Sequence, residues 1–108
     1  MSQRTYSPTT QGALHLFSQL IALKRKERGL TQQDLADRVG VTRGTLRRIE
    51  AGDPKCEIGL VFEVAYLLGI HLFDAPAHYN NLATSLQDKL ALLPARVQKP
   101  RQEVSNDF

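Results

Sequence analysis

The sequence has no tryptophan, one cysteine and no long apolar run. Cys56 has no second cysteine with which to form an internal disulfide bond, and one thiol cannot alone supply a zinc site. No apolar stretch approaches the ~18 to 20 residues that cross a bilayer, and the first ten residues lack the apolar segment of a signal peptide. These absences predict a cytoplasmic chain with no membrane span, folded by packing and without a metal.

Signatures of catalysis are also missing. The sequence has no glycine-rich phosphate loop and no serine, histidine and aspartate set in the context of a triad. The acidic residues are scattered along the chain, which does not suggest a paired-carboxylate site. The three histidines and Cys56 do not have the spacing of metal ligands. We therefore expect a protein that is not an enzyme and that uses no cofactor.

With 108 residues the chain has the length of one domain. Nothing in it has the alternating pattern of a strand, and glycine and proline residues divide it into short helical segments. The predicted fold is all-α, with five helices over about 11–28, 31–39, 43–51, 59–68 and 77–93.

Charge is distributed unevenly along the chain. Residues 1–56 carry ten basic and five acidic side chains, a net charge of +5, whereas the net charge is −3 over residues 57–93 and +1 over 94–108. A basic segment attracts a polyanion, because each neutralised phosphate releases a counterion. Charge also falls unevenly in short chains by chance, so charge alone leaves nucleic-acid binding and an ordinary solvated surface equally open.

Residues 32–52 have the pattern of two short helices joined by a tight turn at Gly40. Leu46 and Ile49 share one face of the second helix, and Ala36 is small where the two helices must approach each other. The opposite face of the second helix is polar. It carries Arg43, Gly44, Arg47, Arg48 and Ala51.

This arginine face suits the major groove of DNA, where a guanidinium group bonds guanine O6 and N7 together. Gly44 lets the backbone come close to the duplex. Gln32 and Gln33, at the start of the preceding helix, are expected to point out of the domain and to contact phosphate. An ordinary solvated face is the alternative and the commoner fate of a charge run, but the two-helix context favours DNA.

Three short runs carry a resemblance to a known family. GLTQQDLA at 29–36, GVT at 40–42 and IEAG at 49–52 resemble the helix-turn-helix of phage-repressor-type (XRE/Cro) regulators, and the similarity extends over roughly residues 14–72. It implies a phage-repressor-like domain in which Glu50 pairs with Arg25. It also implies DNA contacts by Gln32, Gln33, Thr42, Arg43, Gly44, Thr45, Arg47 and Arg48.

A narrower resemblance covers the second half of the chain. Short matches between residues 52 and 73, over 90–97 and at the final Asp107 and Phe108 are similar to HipB-like antitoxins, which are encoded beside HipA-like serine/threonine kinase toxins. This implies a homodimer that represses transcription at operator DNA near its own promoter and binds the kinase, whether that toxin is one chain or two. The tail is then a candidate docking element, and the alternative is a frayed terminus. Its candidate contacts are Arg96, Val97, Lys99, Arg101, Val104 and Phe108.

A row of leucines recurs at steps of three or four residues in the last predicted helix. Its apolar surface exceeds what a small core readily absorbs, which favours a homodimer with two recognition helices about 34 Å apart. The alternative is that this helix folds back on its own domain. The row consists of Leu82, Leu86, Leu90 and Leu93, which are candidate dimer or partner contacts.

The predicted organisation has four parts: a flexible arm at 1–10, a helix-turn-helix DNA-binding domain at 11–74, a helix for dimerisation or packing at 75–93, and a tail at 94–108 that is unstructured or ordered by a partner. The favoured function is an autoregulating repressor and antitoxin of a HipA-like kinase. Two others stay open, a stand-alone repressor without a toxin and a protein-interaction adaptor that retains the fold.

Overall fold

The computed structural model describes residues 4–73 and 76–97, so that part of the expected tail, including Phe108, lies outside the described residues. Within the described ranges the chain forms five α-helices and no strand, as the sequence predicts. A turn of 3-10 helix, Pro76–His78, precedes the last of them. The helices are α1 (Pro8–Glu27), α2 (Gln32–Val39), α3 (Arg43–Glu50), α4 (Ile58–Leu67) and α5 (Tyr79–Ala91).

Helix α1 begins three residues before its expected start at Gln11. The Ser7 hydroxyl accepts a hydrogen bond from the backbone N–H of Thr10 at 3.2 Å, which caps the helix. Pro8 follows in the first turn, where its missing N–H has no intrahelical partner to lose. The segment expected as a flexible arm over 1–10 is therefore helical from Pro8 onward.

The described residues form two compact units, 4–73 and 76–97. The first contains α1 to α4, and each of these helices contributes a fully buried side chain to one core: Ile21, Leu35, Leu46 and Val64. Helix α3 packs against both α1 and α2, and α4 packs against α2. Burial of each such side chain contributes about 1.5–3 kcal/mol, so this core fixes the orientation of α3.

Helix α1 approaches the end of α3 closely at Gly52. The backbone there is left-handed, with φ of 76°, and a Cβ atom would lie 3.4 Å from the carbonyl oxygen of Leu14. On α1 the neighbouring residue is the buried Ser18, whose hydroxyl is satisfied by the carbonyl of His15 at 2.8 Å. Small residues therefore lie on both sides where α1 meets the end of α3.

The second unit consists mainly of α5. This helix begins at Tyr79 because the 3-10 turn at Pro76–His78 precedes it, and it ends at Ala91, two residues before the expected end at Leu93. None of its residues is buried. No helix in the described ranges is both long and apolar enough to span a membrane.

Candidate nucleic-acid interface

Neighbouring residues cap helix α2 at both of its ends. The Thr31 hydroxyl accepts from the backbone N–H of Asp34 at 3.0 Å, and the Asp34 carboxylate accepts from the backbone N–H of Thr31 at 2.9 Å. The two bonds form a capping box, with Asp in place of the longer Glu. The hydrogen bond from Thr31 lowers the pKa of Asp34. At the other end Gly40 adopts φ of 84° and turns the chain toward α3.

Helix α3 is fixed on the body of the domain by one face. Thr42 caps it, since its hydroxyl accepts from the backbone N–H of Thr45 at 3.1 Å and lies 3.0 Å from the Thr45 hydroxyl. Leu46 and Ile49 are buried in the core. Because side chains of a helix radiate around its axis, anchoring this face directs the opposite one to solvent.

The solvent face of α3 carries three exposed arginines, Arg43, Arg47 and Arg48. In the part of the chain that the structure describes, none of them forms an ion pair with a carboxylate. Gly44, also exposed, leaves the backbone of the first turn uncovered. The face is therefore electropositive and open, which is the chemistry that a polyanion requires.

The acidic residue of α3 is turned inward. Glu50 Oε2 lies 2.6 Å from Arg25 Nε, and Oε1 lies 3.0 Å from Arg25 Nη2. The two side chains are only 7% and 9% exposed, respectively, and Arg25 Nη1 donates a further bond to the Leu30 carbonyl at 2.8 Å. This pair ties the C-terminal end of α3 to α1 and removes the one carboxylate of α3 from the arginine face.

The two glutamines at the start of α2 have different surroundings, although both side chains were expected to point out of the domain. Gln32 is half-buried, and its Nε2 donates to Glu50 Oε1 at 3.2 Å, so this side chain belongs to the Arg25–Glu50 network. Gln33 is exposed and donates to Asp37 at 2.8 Å, one turn along the same helix. Gln32 therefore does not point freely out of the domain, because an adjacent buried carboxylate accepts from its amide. Its contact with DNA stays a prediction.

Comparison with known proteins agrees with this geometry. The family model described as Helix-turn-helix, HTH_3, matches residues 21–74, half of the chain, including all of α2, α3 and α4. The chain belongs to the XRE-type helix-turn-helix family. An uncharacterized HTH-type transcriptional regulator of Methanothermobacter thermautotrophicus (strain Delta H) is 48% identical over 50 residues, which are 46% of this chain and 72% of the relative. No solved structure matches this chain.

The N-terminal segment lies next to the loop that follows α3. Arg4 of this segment and Lys55 of the loop line the same open cavity of about 340 Å³, together with Tyr6, Asp53 and Pro54. Its two basic side chains and one acidic side chain leave a net charge of +1 beyond the end of α3. The sequence did not indicate this proximity, because about fifty residues separate the two basic side chains.

The candidate dimer and partner contacts lie in the second unit, apart from the helix-turn-helix in sequence. The four leucines of the row, and Arg96 and Val97 after it, are all exposed. Leu90, Leu93 and Val97 line an open apolar cavity of about 560 Å³. The remaining candidates of the tail, Lys99, Arg101, Val104 and Phe108, lie outside the described residues.

Proposed function

We propose that this helix-turn-helix protein is a sequence-specific, DNA-binding transcriptional repressor that acts as a homodimer. Helix α3 lies in the major groove, where Arg43, Arg47 and Arg48 contact base edges or phosphates. The observation that carries the proposal is the exposed arginine face of α3, held in place by the buried Leu46 and Ile49. The name of the relative, an uncharacterized HTH-type transcriptional regulator, supports the same function.

The start of each helix supplies the remaining contacts in this proposal. Gln33 and the N-terminus of α2 bind a phosphate, where exposed backbone N–H groups and the helix dipole favour an anion. Thr42 and Thr45 line the first turn of α3, and Gly44 allows the backbone to approach the duplex. Gln32 also contacts DNA in this proposal. Its amide is held beside the first turn of α2, because it donates to Glu50 of the Arg25–Glu50 network.

Binding measurements on two DNA duplexes test this function. One duplex comes from the region upstream of the protein's own coding sequence, and the other is an unrelated duplex of the same length. A repressor is expected to bind the first more tightly and to lose affinity for both between about 50 and 200 mM salt, since counterion release drives phosphate binding. Equal, weak and salt-independent binding to both duplexes would indicate a protein-interaction adaptor instead.

We further propose that the repressor is the antitoxin of a HipA-like serine/threonine kinase and autoregulates the operon that encodes both. The support is the similarity of residues 52–73 and 90–97 to HipB-like antitoxins, together with the exposure of Arg96 and Val97 at the start of the proposed docking segment. In this proposal the segment continues through the tail to Phe108.

Co-purification with the product of the neighbouring gene tests the antitoxin role. The tagged protein is expected to recover the kinase, and Val97→Asp is expected to recover less of it. Thr84→Asp, a change of the same charge at an exposed position of α5, is the matched control. Failure to recover a kinase with the parent protein would reject the antitoxin role and leave a stand-alone repressor.

A further inference from the structure

The N-terminal segment ahead of α1, residues 4–7, is held in place by local hydrogen bonds. The Ser7 hydroxyl caps α1, and Gln11 Nε2 donates to the Tyr6 carbonyl at 2.9 Å. These bonds tie the segment to the start of the helix. Tyr6 is also half-buried. The segment therefore follows a defined path, which fixes where Arg4 lies.

The loop after α3 folds back along the last turn of that helix. The Asp53 backbone N–H donates to the Arg48 carbonyl at 3.1 Å, and the Lys55 backbone N–H donates to the Asp53 carboxylate at 2.9 Å. Burial raises the pKa of the Cys56 thiol, the Asp53 charge raises it further, and the Arg48 charge acts against both. Because its charge acts on the residue next to Lys55, the Arg48 guanidinium lies near this loop. The loop thus adjoins the C-terminal end of the arginine face.

Arg4 and Lys55 are both exposed, and they line one open cavity beside this loop. In the ranges 4–73 and 76–97, neither side chain forms an ion pair with a carboxylate. The acidic residue of the cavity, Asp53, accepts from the backbone N–H of Lys55 instead. Both cations can therefore bind an anion from outside the chain.

The position of the two cations indicates which anion this is. A recognition helix places its N-terminal residues against the base edges, so the C-terminal end of α3 and the loop after it lie farther from the floor of the groove, where the phosphates run. We infer that Arg4 and Lys55 bind phosphates of the DNA backbone that borders the groove occupied by α3. The inference rests on the proposed DNA binding and deepens it. It adds a contact from Arg4, which precedes the residues matched by the family model.

This contact differs in kind from those of the arginine face. Phosphates are alike in every sequence, so a phosphate contact fixes the position of a protein on the duplex and carries no sequence information of its own. Arg4 and Lys55 are therefore expected to raise the affinity for all duplexes, and to leave the choice of sequence to α3.

The salt dependence of DNA binding tests the contact. Arg4→Ala and Lys55→Ala are each expected to weaken binding to the upstream and the unrelated duplex alike, and to reduce the salt slope by about one. An increase from about 50 to 200 mM salt then weakens binding by each variant roughly 3.5-fold less than binding by the parent. Lys89→Ala, which removes the same charge from an exposed position of α5, is the matched control and is expected to keep the parent's slope.

The conservative variant Arg4→Lys separates a contact with phosphate from other roles of this side chain. It keeps the positive charge, so it is expected to keep the salt slope of the parent. A parent-like slope in both Arg4→Ala and Lys55→Ala would overturn the inference. A changed preference between the two duplexes in either variant would overturn it as well, because phosphates do not distinguish sequences.

Ethylation interference locates the contact on the DNA, since an ethylated phosphate has lost its charge. The parent is expected to be sensitive to ethylation at phosphates that no longer matter to the double variant Arg4→Ala/Lys55→Ala. Identical interference patterns for the two proteins would overturn the inference. If the parent still prefers the upstream duplex in that case, the DNA-binding proposal remains in place. A parent without any preference contradicts that proposal and the inference together, so the two failures are distinguishable.

Discussion

Arg25 and Glu50 form a two-point ion pair between α1 and the last turn of α3, with Nε 2.6 Å from Oε2 and Nη2 3.0 Å from Oε1. Both side chains are less than a tenth exposed. Glu50 Oε1 also accepts the amide of Gln32 at 3.2 Å. One buried carboxylate thus joins three helices around the arginine face.

Glu50→Ala is expected to lower the free energy of unfolding by about 3–5 kcal/mol, because it leaves the buried guanidinium of Arg25 without its counterion. Urea unfolding followed by circular dichroism measures the loss. Glu27→Ala is the matched control, since it removes an exposed pair with Lys24 at 3.6 Å and is expected to cost less than about 1 kcal/mol. Equally small losses in the two variants would contradict a structural role for the Arg25–Glu50 pair.

Gly40 and Gly52 have similar left-handed backbones, with φ of 84° and 76°, but different surroundings. A Cβ atom at Gly40 has no neighbour within 4 Å, whereas at Gly52 it meets the Leu14 carbonyl oxygen at 3.4 Å. Gly40→Ala is therefore expected to cost about 1–2 kcal/mol, from the backbone conformation alone. Gly52→Ala is expected to cost at least as much, because its Cβ would also come to the limit of ordinary van der Waals contact with the Leu14 oxygen.

Chemical denaturation of these two alanine variants checks the order, with Gly40→Asn as the control. Asn tolerates the left-handed conformation better than Ala does, so this variant is expected to lose less stability than Gly40→Ala. A larger loss of stability for Gly40→Ala than for Gly52→Ala would show that the contact between α1 and position 52 does not lower the stability of the Gly52 variant further.

The capping box of α2 makes stability depend on pH. The hydrogen bond from the Thr31 backbone lowers the pKa of Asp34 in the folded chain, so the ionised carboxylate stabilises the fold above its unfolded pKa. This contribution to stability begins to fall when the pH drops below the unfolded pKa of about 4, and it is lost once the pH has passed the lowered pKa of the folded chain. Asp34→Asn, which cannot ionise, is expected to be less stable than the parent at neutral pH, with the difference shrinking on acidification. Thermal melts of both proteins across this range check it, and a difference that does not change with pH would count against the capping role.

The sequence predicted the helices well where local chemistry sets their ends. The bounds of α2 and α3 follow from three local residues, Gly40 and the caps Thr31 and Thr42. Helical periodicity alone places Leu46 and Ile49 on the face opposite the arginines. The start of α1 was missed because Ser7 and Pro8 were assigned to an arm rather than to a cap and a first turn.

Other features of the interface depend on residues that are distant along the chain. Gln32 was expected to point out of the domain. Its hydrogen bond was missed because the acceptor, Glu50, is eighteen residues away and turns inward only when α3 packs on α1. The proximity of Arg4 to Lys55 likewise arises from packing of the arm beside the loop after α3. Periodicity within one helix contains no information on such contacts.

The central claim, that the arginine face of α3 reads DNA, is tested most directly by titrating an upstream duplex and an unrelated duplex with single alanine variants of its arginines. Arg38→Ala, at an exposed position near the end of α2, is the matched control and is expected to retain the parent's preference between the duplexes.

An arginine that contacts a base contributes about 1–3 kcal/mol to binding, so its loss is expected to weaken upstream binding about tenfold and to reduce the preference for the upstream duplex. An arginine that contacts only phosphate is expected to weaken both duplexes alike and to reduce the salt slope by about one. If Arg43→Ala, Arg47→Ala and Arg48→Ala all bind both duplexes as tightly as the parent, the claim is contradicted.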